Sequence, residues 1–433
     1  MNTNESSSTS SVTDPQTDGR PPRRGWRRWA MDTRPLRHPA YRRLWSSTIV
    51  TTVGSQLTAV AVPKQIYDIT HSSAWVGYAS LAGLLPLVVF ALWGGAVADT
   101  VDRRKLLLVT NIGIAVTSLL FWAQAVTRLH SVVVLMVLLG VQQAFFGLNS
   151  PARSASIARL VPAEELPAAN ALGSTVNQAG LVAGPLLAGA LIPIIGLPEL
   201  YLIDAVALCA TVWAVFQLPA LPPLGMHFTR RAGIREIAAG FRYVAGHKVL
   251  LLSFLVDIIA MVAGMPRALF PQLANQTYAT YGEGLALGVL FAAIPLGTVI
   301  GGLLSGTFSR LRRHGWLVIG AVVGWGAAIA GAGMSRNLWV AVAFLAAAGV
   351  ADMVSMVFRE AILLSAATDE MRGRMQGVFT VVVAGGPRLA DVLHGIAGSA
   401  FGPQAAFAGG GALVVVVMLA LAMAAPALRR YRI

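Results

Sequence analysis

Ionisable side chains inside apolar stretches are the residues of this chain that could do chemistry. Asp257 lies about nine residues into one such stretch, and Asp352 lies well inside another. Arg388 and Asp391 occur three residues apart in a third stretch, so they share a helical face and can neutralise each other. Because a charge in hydrocarbon is costly, such residues mark proton or substrate pathways. Asp257 has no base nearby in the sequence and is the first candidate for a proton carrier; the alternative is a carboxyl satisfied by a neighbouring helix.

The composition indicates that these residues lie in a membrane. The chain has 433 residues, of which 56% are hydrophobic and 12% are charged, whereas a soluble protein carries about 25% charged residues. Apolar segments of roughly 20 residues, relieved by small residues and prolines, predict transmembrane helices rather than the weak alternation of a barrel. The sequence therefore predicts an all-α integral membrane protein.

Several other classes of function are disfavoured. The net charge of +14 comes from bases that lie between apolar runs and not on one soluble face, so we expect no nucleic-acid partner. The single cysteine, Cys209, allows no disulfide framework. The first 30 residues lack the apolar core of a cleavable signal peptide. Phosphate-binding, metal-ligand and nucleophile–base patterns are all missing, so we expect no ATP, no metal, no cofactor and no enzyme activity.

We predict twelve spans in two halves. A disordered basic tail (1–43) precedes the first six-helix half (44–218), and a linker with an amphipathic helix (219–247) joins it to the second half (248–427), which a short tail (428–433) follows. The spans, numbered 1 to 12, lie near residues 44–66, 74–98, 105–126, 131–152, 168–194, 199–218, 248–271, 284–307, 315–334, 338–360, 375–399 and 405–427.

Positive charge predicts the orientation. Of the 33 basic residues, 28 fall in the two tails and in alternate connections, on one side of the membrane. Since cytoplasmic loops carry the excess of Lys and Arg, both termini are expected in the cytoplasm of the cell, with an even number of spans.

The two halves repeat each other in sequence. Matched landmarks recur at offsets of 202 to 207 residues: Gly94-Gly95 and Arg103 as Gly301-Gly302 and Arg310, Arg153 and Glu164 as Arg359 and Glu370, and Gly184-Pro185 as Gly386-Pro387. Such a parallel repeat predicts a substrate site between the halves, near mid-membrane.

The connection between spans 2 and 3 carries a motif. Gly95, Val97, Asp99 and the bases Arg103 and Arg104 resemble the signature loop of the major facilitator superfamily, with Thr100 and Asp102 departing from it. The resemblance implies a twelve-helix transporter in which Asp99 and the two bases lock the cytoplasmic side, with Arg153 on span 4 as the partner of Asp99. The alternative is that these charges set topology only.

A second motif lies on span 5. Gly180, Gly184, Pro185 and Gly189 are similar to the glycine–proline pattern of superfamily antiporters, although a generic packing seam of small residues is the alternative. With Pro151-Ala152-Arg153 and neighbouring segments, the chain resembles the enterobactin-exporter and macrolide-efflux branch.

The resemblance implies a proton-coupled exporter in the plasma membrane that moves a small amphipathic molecule, a siderophore or an antibiotic-like compound. Its expected partners are this substrate, protons and membrane lipids, and a monomer is expected. An uncoupled facilitator or importer and a non-transporting sensor remain alternatives. Polar residues on spans 1, 4 and 5 could line the cavity or form interhelical hydrogen bonds, and Lys64 and Asp68 are spaced as an interfacial pair. The cavity candidates are Gln56, Gln142, Asn177 and Gln178.

Overall fold

The structure, a computed structural model, describes residues 31–222, 241–308, 314–366 and 369–424; within these ranges only the backbone is described at residues 96, 99, 248, 249, 363–381 and 384. Residues 223–240 of the predicted amphipathic linker, both tails beyond these limits and the bases near residue 310 lie outside the described residues, whereas residues 241–246 at the end of the linker are helical. The helices follow the predicted spans: α1 Pro39–Thr70, α2 Ser73–Thr100, α3 Arg103–Val126, α4 Val132–Leu160, α5 and α6 as the two legs of Leu166–Phe216, α7 Lys248–Gly264, α8 Glu283–Leu303, α9 His314–Met334, α10 Leu338–Ala366, α11 Asp369–Phe401 and α12 Pro403–Ala424.

The described part of the chain forms an all-α bundle, which confirms the predicted fold class. Nine of its helical segments are long and apolar enough to cross a membrane, with α5 and α6 counted as one. The two legs separate at Gly196, where φ is 85°, a conformation that glycine adopts without steric cost. With α1 and α11, which are equally long but carry more polar side chains, the bundle fits the twelve predicted spans.

The halves repeat in packing as well as in sequence. Gly94 on α2 lies against Leu148 of α4, and its counterpart Gly301 on α8 lies against Val350 of α10. Gly184 on α5 contacts α1, and Gly386 on α11 contacts α7 in the same way. Small residues at these crossings allow close approach of the helices in both halves.

The bundle has two distinct ends. The basic end holds the starts of α1 and α3 and the ends of α2 and α4, with Arg42, Arg103, Arg104, Arg153 and Arg159; the opposite end holds the connections α1–α2 and α7–α8. The two halves meet along α2 with α11 and α5 with α8. Among the described residues, the hydrogen bonds and ion pairs that join the halves lie at the opposite end or beside a central cavity.

Candidate transport cavity

A cavity of about 360 Å³ lies between the two halves. Helices α1, α2 and α4 form its wall on one side, and α8, α11 and the residues that follow α7 form the other. Much of the wall is apolar, with Val62, Ile66, Phe146 and Phe291 among its residues. A space of this size between two six-helix halves suits a small, partly apolar ligand.

Charged side chains concentrate on the wall contributed by the second half. Asp391 Oδ2 accepts a hydrogen bond from Ser80 Oγ across the two halves at 2.7 Å and lies 3.8 Å from the guanidinium of Arg267. Arg388 donates to the Ser80 carbonyl oxygen at 3.4 Å. The described ion pair of Asp391 is thus with Arg267, and the neutralisation of Asp391 by the neighbouring Arg388 stays a prediction. Two guanidinium groups and one carboxylate leave the cavity with positive character.

The predicted polar residues divide into two groups. Gln56 and Gln142 line the cavity, and Gln143 does so as well. Asn177 and Gln178 are not among the residues of the described cavity wall: Asn177 is exposed and Gln178 is half-buried on α5, and their place at a substrate site stays a prediction.

At the opposite end, polar contacts close the space between the halves. Lys64 Nζ lies 2.9 Å from Asp68, as the spacing of four residues predicted, and also 2.9 Å from Glu283 at the start of α8. Helical spacing does not predict the second partner, Glu283, which lies 219 residues away. Ser73 Oγ donates to Gln272 Oε1 at 2.6 Å, adding a second link between the halves.

The glycine motif of α5 serves two helix crossings. Gly180 and Gly184 face Thr52 and Gln56 of α1, so these crossings lie within the first half. A Cβ added at Gly189 would meet the Gly284 carbonyl oxygen at 2.5 Å and Gly288 Cα at 2.8 Å, across the two halves. Gly288 also faces the Pro185 carbonyl. Any side chain at Gly189 would therefore push α5 and α8 apart.

At the basic end, the signature loop is held by hydrogen bonds to helix termini. Asp102 caps α3 by accepting from Arg104 N at 2.9 Å, and it also accepts from Leu221 N at 3.1 Å. The Arg104 guanidinium donates to the Phe216 carbonyl oxygen and lies 5.3 Å from the centre of its ring. A base at the carbonyl end of α6 complements the helix dipole.

The other gate candidates also contact helices of the first half. Arg103 is buried and donates to the carbonyl oxygens of Ala98 and Ala155. Arg153 donates to Thr48 Oγ1 on α1 at 2.7 Å. The side chain of Asp99 lies outside the described part of the chain, so its pairing with Arg153 stays a prediction. The close helix contact in this stretch is at Gly94; in the described chain, no atom of another helix lies within 4 Å of a Cβ placed on Gly95.

The second half buries an ion cluster near the basic end. Asp257 on α7 pairs with Arg359 on α10, and both side chains are almost fully buried. Asp352, about two turns before Arg359 on α10, lies 3.9 Å from the same guanidinium. The sequence favours Asp257 as the first proton carrier because no base lies nearby along the chain. In the folded chain, Arg359 is such a base. The alternative, a carboxyl satisfied by a neighbouring helix, describes what is found.

The first half buries an acid that the sequence reasoning missed. Asp204 lies in the middle of α6, where its Oδ2 accepts hydrogen bonds from Thr58 Oγ1 on α1 and Ser118 Oγ on α3, each at 2.8 Å. A signal was available, since Asp204 is an isolated acid between Ile203 and Ala205 in a predicted span.

Two six-helix halves around a central cavity define a secondary transporter of the major facilitator superfamily. The family model described as transmembrane secretion effector matches residues 30–431, so the chain belongs to this family, an exporter branch of the superfamily. It is a multi-pass membrane transporter of small molecules and not an enzyme.

Curated relatives agree over nearly the whole chain. The enterobactin exporter EntS of Shigella boydii serotype 18 (strain CDC 3083-94 / BS512) is 31% identical over 411 residues, which cover 91% of this chain and 94% of the relative. EntS of Citrobacter koseri is 30% identical over 409 residues, with the same coverage.

Solved structures support the fold alone. A mutant of the nucleoside transporter NupG superposes with a TM-score of 0.71 at 10% identity, covering 88% of this chain and 99% of NupG. A bacterial homologue of the human lysosomal transporter Spinster, solved in an inward-facing and unoccupied conformation, gives a TM-score of 0.67 at 17% identity, covering 92% and 99% of the two chains.

Proposed function

We propose that this protein exports a small, partly apolar molecule from the cytoplasm by alternating access, driven by protons. The observation that carries the proposal is the cavity between the halves. At the opposite end of the bundle, the halves are joined by the Lys64–Glu283 ion pair and by the crossing of Gly189 with Gly284. For the cavity to open at that end, these contacts have to separate. A carrier of this kind exposes one site to the two sides in turn.

The distribution of bases supports an orientation with the basic end in the cytoplasm. In that orientation, the contacts between the halves face the outside, and substrate enters from the cytoplasm. We propose that Asp99, Arg103, Arg104 and Arg153 close the basic end in the reverse state. The hydrogen bonds that Arg103, Arg104 and Arg153 make within the first half would then be exchanged for contacts with the second half.

The cavity's charge supports a substrate that carries acidic or electron-rich oxygen groups. Arg267 and Arg388 present guanidinium donors that suit carboxylate, phenolate or phosphate oxygens, whereas Asp391 neutralises only one positive charge. Apolar side chains such as Phe146 and Phe291 suit the rest of the ligand. The relatives named as enterobactin exporters make a siderophore the first substrate to test.

The test is secretion of enterobactin. We would express this protein in an Escherichia coli strain that makes enterobactin but lacks EntS, and measure enterobactin in the medium. We expect secretion to be restored, and Arg388→Gln to lose most of it. Arg128→Gln serves as the matched control, since Arg128 lies on the connection between α3 and α4, away from the cavity.

Three results would contradict the proposal. Secretion that is unaffected by collapse of the proton gradient would indicate an uncoupled facilitator. No secretion by a protein that reaches the membrane would exclude enterobactin as substrate or indicate a sensor. Equal losses in Arg388→Gln and Arg128→Gln would remove the assignment of Arg388 to the site.

A further inference from the structure

Asp204 is a buried acid in the first half without an ion-pair partner among the described residues. Its side chain is 1% exposed, and its described hydrogen-bond partners are the hydroxyl groups of Thr58 and Ser118. A buried ionised carboxylate without a cation is costly, whereas the protonated form is neutral. Because the described partners of Asp204 are hydroxyl groups, its carboxyl group can gain or lose a proton without breaking an ion pair.

The elements packed around Asp204 keep their charges at a distance. On α1, Lys64 and Asp68 lie six and ten residues beyond Thr58, about 9 and 15 Å along the helix, while Arg42 and Arg43 lie about 22–24 Å away in the other direction.

The remaining helices next to Asp204 show the same separation. On α3 the charged residues are the three bases at its start, at least 13 residues or about 20 Å before Ser118. On α4, Arg153 is 11 residues or about 16 Å from Gln142, and Arg159 lies further still. The only other acid on α6 is Glu199, which is exposed near its start.

The carboxylate is connected to the cavity. Thr58 lines the cavity and donates to Asp204 Oδ2, so a single hydroxyl separates the carboxylate from the cavity. Gln142 also lines the cavity, and its amide donates to Ser118 Oγ at 3.1 Å, which fixes the second hydroxyl. Hydroxyl groups accept as well as donate, so Thr58 can pass a proton in either direction.

The backbone leaves room for this group. A Cβ added at Gly54 on α1 would meet Asp204 Oδ1 at 2.5 Å, closer than any side chain tolerates. The absence of a side chain at Gly54 is what admits the carboxyl group between α1 and α6. A neutral contact between the same two helices lies nearby, where the hydroxyl oxygens of Thr51 and Thr211 are 2.6 Å apart.

We propose that Asp204 is a proton-binding site of the first half, reached from the cavity through Thr58, and that it binds and releases the proton that drives export. In each cycle the carboxylate takes up one proton from cavity water to become a carboxylic acid, and later returns it to water at the other side. No other bond forms or breaks. The coupling role rests on the proposed function, whereas proton binding does not.

The test is infrared titration of the purified full-length protein, which needs no substrate. With the aspartate carboxyl carbons labelled with ¹³C, every aspartate contributes a band as it is protonated, and we expect one of these pH-dependent bands in the wild type, that of Asp204, to be missing in Asp204→Asn. Glu199→Gln, which removes the exposed acid of the same helix, is the matched control and should retain the band. A set of labelled bands that titrates identically in Asp204→Asn and in the wild type would overturn the proposal.

A second variant covers the case in which Asp204→Asn does not fold. In Asp204→Glu, prepared with the same aspartate label, the labelled band should disappear and an unlabelled protonated carboxyl should titrate in its place. An unchanged labelled band would overturn the proposal. Because these spectra contain no transport step, a failure here is distinguishable from a failure of the enterobactin test.

Discussion

Each half of this transporter contains a deeply buried acid and an arginine in its fourth helix, and the halves arrange them differently. In the second half, Arg359 pairs with Asp257. In the first half, Arg153, the counterpart of Arg359 in the sequence repeat, donates to the neutral hydroxyl of Thr48. Asp204 lies elsewhere, among hydroxyl groups.

The difference indicates a division of roles between the halves. An ion pair keeps both groups charged, because loss of either charge leaves the other buried alone. A carboxyl group held by hydroxyls can change its charge at lower cost. We therefore expect Asp257 and Arg359 to hold α7 against α10, and Asp204 to carry the proton.

The largest effect is expected from Arg359→Leu. The substitution leaves Asp257 buried without its guanidinium, which typically costs about 3–5 kcal/mol of unfolding free energy. Arg153→Leu is the control matched by the repeat, and its cost should be smaller because Thr48 is neutral. Denaturant titration in detergent measures both. Equal losses of unfolding free energy would mean that the two arginines contribute equally to stability, which would contradict the division of roles.

A smaller effect is expected from Gly54→Ala. The added methyl group would contact Asp204 Oδ1, and such overpacking costs about 1–3 kcal/mol. In an Asp204→Ala background, most of the cost should disappear because the carboxyl oxygen is absent. A double-mutant cycle on the free energy of unfolding measures this coupling. Additive effects would contradict the contact.

Thr58→Val should cost less unfolding free energy than Gly54→Ala. Removing one hydrogen bond between membrane helices costs about 0.6 kcal/mol on average and up to about 1.7 kcal/mol. The loss should vanish in an Asp204→Leu background, which has no acceptor. Thr51→Val, which breaks the neighbouring contact with Thr211, should cost the same in both backgrounds. If Thr58→Val behaved like this control, Thr58 would not act on Asp204.

The smallest effect on stability is expected from Asp204→Asn. The asparagine carbonyl oxygen still accepts from Thr58 and Ser118, so the change in unfolding free energy should stay below about 1 kcal/mol. Asp257→Asn, which removes the charge beside Arg359, should cost more, about 1.5–3 kcal/mol. The same unfolding measurement compares the two. If Asp204→Asn cost more unfolding free energy than Asp257→Asn, the division of roles between the halves would be wrong.

The sequence predicted the helices and the family well, because apolar length and local spacing determine them. The pairing of Lys64 with Asp68 follows from one turn of helix. In contrast, Arg359 lies 102 residues from Asp257, and Thr58 lies 146 residues from Asp204. Such partners depend on which helix faces meet, and sequence periodicity alone does not determine this. For the same reason, the sequence alone does not determine which of Gln56, Gln142, Asn177 and Gln178 face the cavity.

The most direct test of the division compares two transport modes of Asp204→Asn in proteoliposomes with labelled enterobactin. Exchange of substrate across the membrane requires no net proton movement, whereas accumulation driven by a pH gradient does. Our account predicts that Asp204→Asn retains exchange and loses gradient-driven accumulation, while the wild type shows both. Gradient-driven accumulation that persists in Asp204→Asn would contradict the claim that the first half carries the proton at Asp204.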